Sequence, residues 1–191
     1  MPAIPATPDT PAIPEDLTSP EEEDSSDSLT EWKAATAALG LGIAGRVALQ
    51  GFPSIETVTP LAIASGYYLG WKKGLYTGAA GFFLSNFLVW GGQGPWTVFQ
   101  VLAAGSAGMT GAIFSSLRRG RYTFFSSIVS GILAYEIVIN LGSMLYTPWA
   151  WASPVTYLAA SVPFALIHLI SSVGFGGVIY GFDSSLERIG G

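Results

Sequence analysis

Residues Gly74–Leu117 read GLYTGAAGFFLSNFLVWGGQGPWTVFQVLAAGSAGMTGAIFSSL, without one Asp, Glu, Lys or Arg. Lys72 and Lys73 precede the stretch, and Arg118, Arg119 and Arg121 follow it. Crossing ~30 Å of hydrocarbon takes ~20 helical residues, so the run holds two apolar helices with GGQGP (Gly91–Pro95) as the turn between them. A hairpin of this kind returns both ends to one side, and loops rich in Lys and Arg stay on the cytoplasmic side. A second uncharged run, Ile137–Phe182, repeats the pattern. The expected fold class is therefore an all-α integral membrane protein.

Extending outward gives six expected transmembrane helices with both termini cytoplasmic. Trp32–Gln50 runs outward and Glu56–Trp71 returns, with Pro60 near its start, where proline is tolerated. Gly74–Trp90 runs outward and Trp96–Leu117 returns. Tyr122–Tyr146 runs outward again, Thr147–Pro154 forms an outer loop, and Pro154–Phe182 returns with an expected kink at Pro163. Of the eight basic residues, Lys33, Lys72, Lys73, Arg118, Arg119, Arg121 and Arg188 fall at the cytoplasmic ends, and only Arg46 does not. Trp32, Trp71, Trp90, Trp96, Trp149 and Trp151 fall at expected interfaces, which indole favours. The chain is expected in the cell membrane, as a multi-pass protein in contact with the lipid bilayer.

Composition agrees: 50% of residues are hydrophobic and 11% charged. A soluble domain of this size could not carry so much apolar surface. The net charge of −5 is unevenly placed, because Asp9, Glu15, Asp16, Glu21, Glu22, Glu23, Asp24, Asp27 and Glu31 lie at the N-terminal end. Residues 1–30 are expected to form a disordered, Pro-rich, acidic cytoplasmic tail, since they have little to bury. The tail lacks the basic and apolar regions of a secretory signal and is expected to be retained. Residues 31–183 form the membrane domain, and 184–191 a short cytoplasmic C-terminus. With no cysteine, disulfides, thiolate metal sites and thiol catalysis are excluded. There is no phosphate-binding G-x-x-x-x-G-K-[ST] loop and no basic, aromatic-interleaved surface for nucleic acid.

Polar residues recur at one depth. At 1.5 Å per residue, Arg46 lies ~21 Å up the first span, Asn86 ~18 Å up the third and Glu136 ~21 Å up the fifth. Asn140 follows Glu136 by one turn, Gln100 sits one turn below the outer surface, and Glu56 opens the second span. Ionisable groups so deep cost ~2.5–3.5 kcal/mol each on insertion scales and usually mark a site or pathway. Arg46, Glu56, Asn86, Gln100, Glu136 and Asn140 are therefore candidate substrate contacts in an outer-half pocket; an ion pair of Arg46 with Glu136 or Glu56 is the structural alternative. The same count puts His168 well below Glu136, as a packing residue. With no second His, no Cys and no nearby carboxylate, no metal site is expected, and no cofactor or catalytic residue is assigned.

Small residues mark helix contacts, since closely approaching backbones replace the hydrophobic drive in lipid. Gly66, Gly70, Gly74 and Gly78 recur at four-residue spacing. The first span carries two such faces, Ala37/Gly40/Ala44/Ala48 and Ala34/Ala38/Gly42/Gly45, one of which can pack internally while the other faces a partner.

The order of Pro60-Leu61, the glycine series, Ser85-Asn86-Phe87 and Gly94-Pro95-Trp96-Thr97 with Gln100 resembles the substrate-binding S components of energy-coupling factor (ECF) transporters of the vitamin-uptake type. The resemblance covers Trp32 to Phe182. It implies a membrane subunit that binds a vitamin-like micronutrient, such as cobalamin or a related compound, under a cap formed by Gly51–Ile55. It also implies docking on a transmembrane coupling subunit that two cytoplasmic ATPases drive. Ala34, Ala38, Gly40, Ala44 and Ala48 match the family's small docking positions, while the long acidic tail departs from the family. Two other readings remain open. A non-transporting scaffold predicts a fully self-paired polar layer. A rhomboid-like serine protease would use Ser106 and His168, but Gly105-Ser106-Ala107-Gly108 departs from that family's Gly-x-Ser-Gly.

Overall fold

A computed structural model describes residues 20–190, with the side chains of residues 20–25, 27, 149 and 183–190 left aside. The described residues are all-helical: α1 (Pro20–Ala48), α2 (Val58–Leu69), α3 (Trp71–Ser85), α4 (Pro95–Leu117), α5 (Arg121–Tyr146), α6 (Pro148–Ala152) and α7 (Pro154–Gly190). Three helices are long and apolar enough to cross a membrane: α4, α5 and the Pro154–Phe182 part of α7. Their outward faces expose Val98, Leu102, Ile113, Leu133, Ile137 and Leu141, as suits a chain embedded in lipid.

Two of the expected spans come out short. The 12 residues of α2 and 15 of α3 reach only ~18 Å and ~22 Å at 1.5 Å per residue. α3 stops at Ser85 rather than Trp90: Asn86 still bonds Phe82 O at 3.1 Å, but Phe87 and Leu88 tighten to bonds three residues back, and Gly91 and Gly92 turn the chain at positive φ (93° and 58°). At the N-terminal side, α1 begins at Pro20, so the segment from residue 20 is helical where the sequence reading continued the tail to residue 30. Proline at a first helical position and acids in a first turn both favour that start. Residues 1–19 of the expected tail lie outside the described residues. At the other end, α7 runs unbroken through 184–190, and it remains helical across Pro163.

α2 and α3 form an antiparallel hairpin joined by Gly70 alone, whose φ of 93° and ψ of 166° suit glycine and little else. The hairpin packs on α4 through glycine: a Cβ on Gly66 would meet the backbone of Gly108, and one on Gly108 would meet the backbone of Gly74. Three backbones thus converge where no side chain fits. α4 lies against α2, α3 and α5; α1 covers the hairpin from outside, and α7 leans on α5 and α2. The core between them is built of Val58, Ile63, Tyr67, Phe82, Phe124, Ile128, Ile132 and Tyr135 with Ala103, Ala104 and Ala107.

The basic turns gather at one end of this bundle. Lys73 Nζ donates to Glu31 at 2.6 Å, joining α3 to α1. Tyr67 at the end of α2 accepts from the Gly120 N–H at 2.8 Å, joining the Gly70 turn to the Arg118–Arg121 connection. At the opposite end, Trp90 N donates to Gln50 Oε1 at 2.9 Å, tying the connection after α1 to the one after α3.

Candidate ligand site

At the end opposite the basic turns, a partly open cavity of about 350 Å³ lies between α1, α3, α4, α5 and α7, with residues 52–56 along its rim. Its walls mix aromatic rings (Phe52, Phe82, Trp90, Tyr135, Phe164) with Arg46, Gln50, Glu56, Gln100, Glu136 and His168. The rim loop carries Ser54 at φ 60°, the one described non-glycine residue with positive φ. Such strain persists only where the surroundings hold it; Ser54 O accepts from Ser171 Oγ on α7 at 3.5 Å.

One wall is a network centred on Asn86, which is 1% exposed. Arg46 Nη1 donates to Asn86 Oδ1 at 2.8 Å and also to Ser85 Oγ. Asn86 Nδ2 in turn donates to Thr97 Oγ1 at 3.0 Å and to Gln100 Oε1 at 2.8 Å. The amide spends its acceptor and both of its donors, and so links α1, the end of α3 and the first turns of α4. Phe82 lies under the guanidinium, its ring centre 4.3 Å from Arg46 Cζ.

The facing wall is a carboxylate–imidazole–carboxylate chain. His168, 4% exposed, sets Nδ1 2.8 Å from Glu136 Oε1 and Nε2 3.1 Å from Glu56 Oε1. Glu56 also accepts from the N–H groups of Val58 and Thr59, capping the otherwise unsatisfied N-terminus of α2. The Tyr135 ring meets His168 edge-on at 4.9 Å. An ionised carboxylate only accepts, so two such contacts require two protons shared among the three groups. The set then carries a charge of −1, whichever atoms hold the protons.

These positions revise the sequence reading at three points. His168 is not a separate packing residue below the layer but the bridge between two of its members. The depth count took the ends of α5 and α7 as level, yet Glu136 precedes the end of α5 at Tyr146 by fewer residues than His168 follows Pro154. On antiparallel helices the two side chains each lean toward their own helix N-terminus and so toward each other, which spans the difference of one turn. Second, among the described residues no carboxylate lies within ion-pairing distance of Arg46; the carboxylates pair with His168 instead. Third, Asn140 faces the apolar groove between α5 and α7 and donates to Glu136 O at 2.8 Å and Oε2 at 3.3 Å, so it supports Glu136 from behind.

Of the six residues singled out from sequence, Arg46, Glu56, Gln100 and Glu136 line the cavity, and Asn86 lies directly behind its wall. Tyr135, Phe82, Gln50 and Trp90 were not singled out. Tyr135 adjoins Glu136 and Gln50 follows Arg46 by one helical turn, so spacing could have found those two; Phe82 carries no signal beyond hydrophobicity. On α1 the two small faces separate: Gly42 and Gly45 pack on Val58 and Thr57, while Ala34, Ala37, Gly40, Ala44 and Ala48 are exposed and Ala38 half-buried. Three-or-more His, Cys, Asp and Glu side chains arranged to hold a metal ion do not occur among the described residues. Compared with known proteins, the chain matches no family model, no curated protein and no solved structure.

Proposed function

We propose that the chain is the substrate-specific membrane subunit of an ECF-type importer, with six membrane-crossing segments, both ends cytoplasmic, in the cell membrane. It binds a vitamin-like micronutrient in the cavity and delivers it by docking on a transmembrane coupling subunit powered by two separate ATPases. The observation that carries this reading is the cavity itself: concave, aromatic and bordered by a loop, with a few convergent polar groups, as small-molecule sites are built. A volume of about 350 Å³ suits a compact vitamin; a corrinoid such as cobalamin would require a larger cavity. The exposed face of α1, with nothing within 4 Å of a Cβ placed on Gly40, leaves room for close approach of a coupling subunit.

The competing readings gain less support. A scaffold has no use for such a cavity and predicts self-paired polar groups, whereas Arg46 keeps donors without partners among the described residues. In the protease reading His168 would activate Ser106, but both ring nitrogens are engaged by carboxylates and Ser106 Oγ donates to Ala103 O at 2.7 Å.

Native mass spectrometry of the protein purified in mild detergent tests the binding step, and a stoichiometric small-molecule adduct is the expected result. The double variant Ala44→Phe with Ala48→Phe tests docking: adduct retained and cellular uptake lost. An empty protein that stays empty with a vitamin panel would end the transporter reading, and full uptake by the double variant would remove α1 from the docking step.

A further inference from the structure

The two walls of the cavity have opposite hydrogen-bonding characters, and the difference follows from donor–acceptor logic rather than from any choice of amide orientation. Arg46 can only donate, so Asn86 must present Oδ1 to it and Nδ2 to its other neighbours. Gln100 must then offer Oε1 to Asn86, which leaves its Nε2 amide free at the cavity. Independently, Trp90 N can only donate, so Gln50 gives up Oε1 to it and likewise keeps Nε2. Arg46 has committed Nη1 to Ser85 and Asn86 and one ring face to Phe82, while Nε and Nη2 have no partner among the described residues. Three cavity-lining side chains from α1, the segment after it and α4 therefore present donors only. On the opposite wall, the ring nitrogens of His168 are consumed by Glu136 and Glu56, so the imidazole has no donor left for a ligand.

A part-buried guanidinium whose Nε and Nη2 meet no acceptor is costly, since the −1 charge of the facing carboxylate–imidazole set acts on it only across the cavity, and its forked edge matches carboxylate and phosphate oxygens. Arg46 is the only Lys or Arg on the cavity wall among the described residues, and both cavity carboxylates are already engaged elsewhere. We infer that the ligand bears an oxyanion, a carboxylate or phosphate, received by Arg46, Gln50 and Gln100, with its ring or chain against the aromatic wall. This inference rests on the ligand-binding reading above and specifies its substrate class.

The test uses the full chain in detergent and matched acid and neutral probes: nicotinate against nicotinamide for a carboxylate, pyridoxal 5′-phosphate against pyridoxal for a phosphate. Binding is read by equilibrium dialysis and thermal shift, alongside the native mass of any retained adduct. The expected result is that one acid binds and its neutral partner does not, with the responding pair distinguishing carboxylate from phosphate. Arg46→Gln should weaken that binding about 10- to 100-fold, the range for a charge-assisted hydrogen bond. Gln100→Glu and Gln50→Glu keep the oxygens that Asn86 and Trp90 N need while replacing free donors by acceptors. They should fold as the wild type does and lose the acid. Equal binding of both members of a pair, unchanged in all three variants, would overturn the oxyanion inference while leaving the cavity a binding site. No binding of any probe together with no retained adduct would overturn both. An adduct of phospholipid mass would assign the same donors to a lipid headgroup and overturn the soluble-ligand form.

Discussion

Removing the imidazole of His168 should be among the most costly single changes in this protein, and the geometry sets the size. With ring nitrogens 2.8 and 3.1 Å from Glu136 and Glu56, the two carboxylates stand ~7 Å apart once the ring is gone, worth about 2 kcal/mol of repulsion at an effective dielectric of ~20. Two charge-assisted hydrogen bonds are also lost, each contributing about 1.5–3 kcal/mol. Part of that is recovered by water entering the cavity and by protonation of one carboxyl, so a net loss of about 3–5 kcal/mol is expected for His168→Ala, the range for breaking a buried pair. The assay is reversible unfolding in mixed detergent micelles, read as a double-mutant cycle with Glu136→Gln. If the carboxylates repel, Glu136→Gln should destabilise the wild type but restore about 1–2 kcal/mol in the His168→Ala background, a coupling of opposite sign. Additive effects, or a His168→Ala loss below about 1 kcal/mol, would refute the idea that one imidazole holds two carboxyl groups together.

Two further perturbations probe the scaffold around the cavity. Asn86→Leu keeps the volume but strands the partners on Arg46, Thr97 and Gln100, so a loss of about 2–4 kcal/mol is expected from unsatisfied buried groups, measured in the same micelles; a neutral result would mean water replaces the amide. Gly66→Val would drive a side chain into the backbone of Gly108, and overpacking of about 3 kcal/mol or more should appear as loss of folded protein, whereas Gly40→Val on the open face of α1 should be tolerated within about 1 kcal/mol.

How much of this was legible beforehand differs by element. The boundaries of α4 and α5 follow from Pro95, the Arg118–Arg121 turn and an unbroken apolar run, because a proline start and a basic loop act locally. The early end of α3 did not follow, since Leu88, Val89 and Trp90 continue the apolar pattern; there the backbone tightens to bonds three residues back and then turns at the two positive-φ glycines. The identity of Arg46, Asn86, Gln100, Glu56 and Glu136 as one polar group was readable from depth alone. Their pairing was not: the sequence reading weighed Arg46 against Glu136 or Glu56, and the fold gave Arg46 to an asparagine and both acids to His168.

The division has a physical origin. Residue spacing along a helix sets height and rotation about that helix's own axis, and charge-free length sets what can lie in lipid. On those quantities the sequence by itself determined an all-helical, lipid-compatible chain with its basic turns apart from a polar layer. Which polar groups touch depends on which faces meet and on how far each side chain reaches. Those follow from the packing, where the glycines of α2, α3 and α4 bring three backbones together and Glu136 and His168 lean toward each other across α5 and α7.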